Sequence, residues 1–109
     1  KRGGTVLGID QDAEALGYVK QNQEAQIKNH ELVLAHGNFK DIKSIAEENK
    51  FTEVDGILFD LGVSSYQLDT SGRGFTFRKN EPLDMRMDMR GEITARDIIN
   101  TYTLQELQY

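Results

Sequence analysis

The sequence contains no cysteine, no tryptophan and a single proline in 109 residues. Without cysteine there is no disulfide framework, no thiolate zinc site and no thiol nucleophile, and the composition agrees with a reducing compartment. No apolar run is long enough to span a bilayer, and no leader with a basic start and apolar centre is visible. A strong positive balance is also missing. Net charge is −5, whereas an autonomous nucleic-acid binder carries a basic footprint to meet phosphate. The charge is uneven: residues 1–69 hold seven Lys/Arg against twelve Asp/Glu, residues 70–96 six against four, and residues 97–109 none against two. Only the stretch from Arg73 to Arg96 is locally basic. With 38% apolar and 28% charged residues, the chain is globular in composition and of the length of one small domain.

What is present is an alternation of short apolar runs and helical patterns. Residues 5–10, Thr-Val-Leu-Gly-Ile-Asp, predict a buried strand ending in an acid. Asp12 is placed as the N-cap of a helix running towards Ala25, with Glu14 at its positive end and Leu16, Val19 and Ala25, with Tyr18 beside them, on a partial apolar face. A second strand is predicted over 31–36, closed by Gly37-Asn38. Asp41 is expected to cap a second helix that carries Ile42, Ile45 and Ala46 on one face. A third strand is predicted over 54–59, leading into Asp60-Leu61-Gly62. This order implies parallel strands joined by crossover helices, an α/β sheet. From Gly62 to Pro82 the period is lost, and aromatics and arginines stud a loop of functional character. Thr94 to Asp97 and Thr103 to Glu106 have the spacing of capping boxes. Lys1 in place of Met, and a helix start so near Tyr109, suggest an internal piece of a longer chain.

Ligands of open parallel sheets bind beyond the carboxyl ends of the strands. Asp10, the His36-Gly37-Asn38-Phe39 corner and Asp60 are expected at that edge. Asp10 suits the two hydroxyls of a ribose, since a carboxylate accepts both hydrogen bonds; a solvated loop acid explains it equally well. Phe39 can lie against a purine or staple the following helix to the sheet. His36 has no partner at metal-ligand spacing, and no metal is expected. Asp60 ends a very apolar run, where a carboxylate is costly unless it reaches an edge and a partner. A glycine-rich phosphate loop after a strand is absent and is expected before Lys1.

Three blocks add specificity: Asp60-Leu61-Gly62-Val63-Ser64-Ser65-Tyr66-Gln67-Leu68-Asp69, then Arg73-Gly74-Phe75-Thr76-Phe77, then Pro82-Leu83-Asp84-Met85-Arg86-Met87-Asp88. In this order and spacing the chain resembles, over nearly its whole length, the S-adenosylmethionine-dependent family that methylates the N4 amine of a cytidine in small-subunit (16S-type) ribosomal RNA. The resemblance implies a Rossmann-like methyltransferase fold. Residues 1–69 would be part of that domain, and residues 70–109 a substrate loop and the start of a helical insertion. It further implies S-adenosyl-L-methionine as cofactor, the ribosomal small-subunit RNA or particle as partner, no membrane, and a cytoplasmic setting. Asp10 would hold the donor's ribose and Phe39 flank its adenine. Asp60 and Gln67 would contact the donor near its methionine end or place the target amine, with Asp60 the candidate catalytic residue. Read from the residues themselves, Arg73, Phe75, Phe77, Arg78 and Arg86 could face RNA, with Phe75 or Phe77 clamping a splayed base. Equally, the phenylalanines could pack the loop onto the core, and the arginines could neutralise Asp84 and Asp88 and hold the loop. Tyr66 stands where many members of the family carry proline.

Two other classes fit parts of the pattern. A phospho-receiver domain also has an early acidic pair, here Asp10 and Asp12, and an acceptor at a third strand end, here Asp60; its later strand–helix units do not follow. A non-enzymatic nucleotide-binding module would use the same strand ends without methyl transfer.

Overall fold

A computed structural model of the chain describes residues 3–108. Val6–Asp10 forms β1 and Leu32–His36 forms β2, and the two pair in parallel with Val6 opposite Leu32 and Asp10 opposite His36. Parallel pairing needs a crossover, supplied here by α1 (Ala13–Asn22) and α2 (Glu24–Lys28). The fold class is therefore α/β with a parallel sheet flanked by helices, as expected of a Rossmann-like methyltransferase fragment. Asp12 caps α1, its carboxylate accepting from the Glu14 N–H at 3.0 Å. The helix predicted to run to Ala25 breaks at Gln23, where φ is −124°. The side-chain amide of Asn22 donates to the Tyr18 carbonyl at 2.8 Å, the local competition that makes asparagine a poor helix interior residue. Leu16 and Val19 are half-buried towards the sheet, while Ala25 is exposed.

After β2 a 3-10 turn, Phe39–Asp41, leads into α3 (Ile42–Glu48). Ile45 packs back over Gly37, its Cδ1 lying 2.6 Å from where a Cβ would stand. Ile42, Ile45 and Ala46 lie on the half-buried face as the spacing predicted. The cap differs. Asn38, not Asp41, carries the side-chain cap, accepting from the Lys40 N–H at 3.0 Å, because the 3-10 turn moves the first free N–H groups upstream.

The chain divides into two compact units, one ending at Leu58 and the other beginning at Phe59. The third strand predicted over 54–59 is not formed. A strand exists only through its ladder, and this segment has no strand partner among the described residues. Its apolar side chains are exposed, Leu58 to 92%. In the second unit, α4 (Ser65–Asp69) and α5 (Ala95–Thr101) flank an irregular loop, and a 3-10 turn spans Glu106–Gln108. The capping box at Thr94 and Asp97 is present. Thr103 and Glu106 make the matching contacts, at 2.8 Å from the Thr103 N–H to the Glu106 carboxylate; Tyr109 lies outside the described residues. No described helix is long and apolar enough to cross a membrane. No described apolar side chain is fully buried; the residues that are buried are Asp12, Gln67 and Arg73.

Candidate functional site

In the first unit, the carboxyl ends of β1 and β2 meet because Asp10 and His36 are register partners. One Asp10 oxygen accepts the Asp12 N–H at 2.8 Å, and the Asp10 carbonyl accepts from Gly37 at 3.0 Å. The residue is exposed, and its second carboxylate oxygen has no partner among the described residues. His36 Nε2 lies 3.0 Å from the Gln11 carbonyl, and Asn38 Nδ2 donates to Gln11 Oε1 at 2.9 Å. Gln11 thus ties the end of one strand to the corner after the other. Phe39 follows at this corner with about half of its surface exposed. The edge offers a carboxylate oxygen that can accept a hydrogen bond, a loop backbone fixed by Gln11 and a half-exposed aromatic ring, group types that suit the hydroxyls and the base of a nucleoside.

Asp60 belongs to the second unit. It is exposed at the end of a segment without secondary structure rather than at a strand end. Four residues on, Ser64 and Gln67 form a capping box. Gln67 Oε1 accepts the Ser64 N–H at 2.9 Å, and Ser64 Oγ accepts the Gln67 N–H at 3.2 Å. Gln67 is only 4% exposed, so its carbonyl oxygen holds the start of α4. Sequence reasoning gave Gln67 to the donor and missed this role, although Ser64-x-x-Gln67 has the spacing of the motif.

The loop from Ser71 to Arg96 is held by its own polar groups. Arg73, 5% exposed, donates through Nη1 to the carbonyls of Arg86 at 2.9 Å and Met87 at 3.1 Å, and its guanidinium lies 5.4 Å from the centre of the Phe75 ring. The Met85 N–H returns to the Arg73 carbonyl at 2.8 Å. Gly74 has φ +77° and donates to Glu81 Oε2 at 2.9 Å. Arg86 grips Asp84 with two side-chain bonds, of 2.8 and 2.6 Å, and reaches the Gly91 carbonyl at 2.7 Å. These Arg86 hydrogen bonds hold the Asp84 carboxyl below the usual carboxylate range, against the opposing effect of partial burial. Arg90 pairs in the same way with Asp88. Asp84 and Leu83 carbonyls accept from Ala95 and Arg96, which joins the loop to the start of α5. The five residues expected to face RNA therefore differ in setting. Arg73 and Arg86 have partners inside the loop, and Phe75 lies beneath Arg73. Phe77 is 98% exposed, and Arg78 is exposed with no partner for its guanidinium among the described residues.

The chain is similar to known proteins along its whole length. The model of the MraW methylase family matches residues 1–109. The ribosomal RNA small subunit methyltransferase H of Acetivibrio thermocellus is 47% identical over 107 residues, covering 95% of this chain and 33% of the relative. The protein of the same name from Lachnospira eligens is 45% identical over 107 residues, covering 96% and 33%. That from Clostridium botulinum strain Kyoto is 46% identical over 105 residues, covering 95% and 33%. The chain spans about a third of the length of these curated relatives.

Proposed function

We propose, from the premise that this chain belongs to the MraW methylase family, that the intact protein transfers a methyl group from S-adenosyl-L-methionine to the N4 amine of a cytidine in small-subunit ribosomal RNA, in the cytoplasm. The observation that carries this reading is the family match over residues 1–109. It is supported by relatives whose name is ribosomal RNA small subunit methyltransferase H. The phospho-receiver alternative falls with the family assignment.

In this reading Asp10 accepts from the donor's ribose through its open carboxylate oxygen while the other stays on the Asp12 N–H. Phe39 covers the adenine. When bound, S-adenosyl-L-methionine supplies an electrophilic sulfonium methyl. The chain's task is then to raise the nucleophilicity of an amine whose lone pair is shared with the cytosine ring. Asp60 is the residue for that: a carboxylate accepting from the amine N–H localises the pair on nitrogen and takes up the proton that methylation releases. Gln67 serves the site by fixing the turn after Asp60 through Ser64. Residues 70–109 act as substrate loop and the start of a helical insertion, with Arg73, Phe75 and Arg86 shaping the loop and Phe77 and Arg78 turned towards RNA.

The test is to incubate the intact protein with small ribosomal subunits lacking the modification and with methyl-labelled donor, then to digest the RNA and identify the labelled nucleoside by mass spectrometry. N4-methylcytidine is expected. Label in another nucleoside, or in none, overturns the proposal.

A further inference from the structure

The loop between α4 and α5 presents two phenylalanines two residues apart in opposite settings. Phe75 is half-buried under the Arg73 guanidinium, whereas Phe77 is 98% exposed. The contrast follows from the scaffold below them. Arg73, Gly74 and Met85 are tied across the base of the loop. Met85 itself holds φ 59°, a left-handed conformation rare for a non-glycine residue. The tip 76–80 is thus carried on a braced base. Phe77 is bordered by Thr76, Arg78, Lys79 and Asn80. The Lys79 ammonium donates to the Asp69 carbonyl, and the Arg78 guanidinium is exposed.

The side chains next along the chain, Thr76, Arg78, Lys79 and Asn80, are all polar, and the guanidinium of Arg78, the residue after the ring, is exposed. An exposed aromatic ring next to an exposed cation is the composition of a single-strand nucleic-acid site, in which a base stacks on the ring and the cation follows the phosphates. We propose that Phe77 is a stacking platform for one unpaired nucleotide of the RNA substrate. This rests on the functional reading above and names a contact within it.

The experiment uses the intact protein with Phe77→Ala, Phe77→Tyr and Phe77→Trp. The probes are a single-stranded, cytidine-containing RNA oligonucleotide and S-adenosyl-L-methionine. Phe77→Ala is expected to weaken RNA binding roughly 5- to 100-fold, the range for loss of one stacked base. The loss should be the same at two salt concentrations, with donor affinity and melting temperature unchanged. Phe77→Tyr should restore binding, and the fluorescence that Phe77→Trp adds over wild type should be quenched by the RNA. Unchanged RNA affinity in Phe77→Ala, or an unquenched tryptophan, overturns the proposal. So does a lowered melting temperature with parallel loss of both ligands, which assigns the ring to a protein contact. If wild type transfers no methyl group to RNA, the functional reading fails, while the quenching still decides whether the ring stacks.

Discussion

Gly74→Ala tests whether the braced loop is as tightly built as its geometry implies. Gly74 has φ +77°, and a Cβ placed on it would lie 2.2 Å from the Pro82 carbonyl oxygen and 3.4 Å from Leu83 Cα. The left-handed backbone alone costs a residue with a Cβ about 1–2 kcal/mol. The contact with Pro82 is with backbone, so the two arms of the loop must part. Parting them weakens the bonds that span them, from Met85 to Arg73 and from Gly74 to Glu81, each worth about 1 kcal/mol. The sum is roughly 3–4 kcal/mol, or more than a hundredfold in the opening equilibrium. Gly72 is the matched control: its φ is +67°, and a Cβ added there would meet nothing within 4 Å. Gly72→Ala therefore carries the backbone cost without the collision. Amide hydrogen exchange in the intact protein reads the difference. The Met85 amide should exchange more than tenfold faster in Gly74→Ala than in Gly72→Ala. Equal rates in the two variants would refute the close approach as a constraint on the loop.

Three further outcomes follow from the same geometry. Asp10→Ala in the intact protein should weaken S-adenosyl-L-methionine binding by about 1–3 kcal/mol, read by calorimetry; Asp10→Asn keeps an acceptor for the Asp12 N–H and separates loss of the ligand contact from loss of the turn, and unchanged affinity in both removes Asp10 from the site. Arg78→Ala should weaken RNA binding and lower the slope of log affinity against log salt by roughly one phosphate's worth, ~0.7–0.9, with donor affinity unchanged; a lowered melting temperature with RNA affinity intact would make Arg78 a loop anchor instead. The Asp84 carboxyl is depressed in the folded state, so its contribution to stability is full above the unfolded value of about 4 and is lost as pH falls through the lower folded value. Melting temperature measured from pH 6 down to 2.5 should fall less steeply in Asp84→Asn than in wild type. Asp97 and Glu106, depressed by the Thr94 and Thr103 hydrogen bonds, keep part of the slope, and identical slopes would rule Asp84 out as a titrating anchor.

The parts of the fold legible in the sequence are those whose cause is local. Apolar runs at 5–10 and 31–36 yield β1 and β2, and Asp12 caps α1 through an N–H two residues away. The run at 54–59 has the same local character, yet no strand results, because a strand also needs a neighbour to complete its hydrogen bonds. Gln67 was within reach of a local rule, since the capping box is written in its spacing from Ser64. Arg73 was not. Its acceptors lie 13 and 14 residues along the chain, and no periodicity encodes a side chain that crosses a loop.

Charge counted along the chain is not charge presented at a surface. Residues 70–96 read as a locally basic stretch whose arginines either face RNA or neutralise Asp84 and Asp88, and the folded loop shows the second arrangement for Arg86 on Asp84, with Arg90 on Asp88 beside it. Arg73 is buried against carbonyls. An arginine already bonded to carboxylate neutralises phosphate poorly, since the carboxylate has taken the place of the counterion whose release drives binding. In the functional reading proposed above, phosphate contact by this stretch is left to the exposed Arg78 and Arg96 and to Lys79, whose ammonium already donates to the Asp69 carbonyl. Mutating the internally paired arginines would loosen the scaffold and act on RNA binding indirectly, so the exposed cations are the ones that separate recognition from folding.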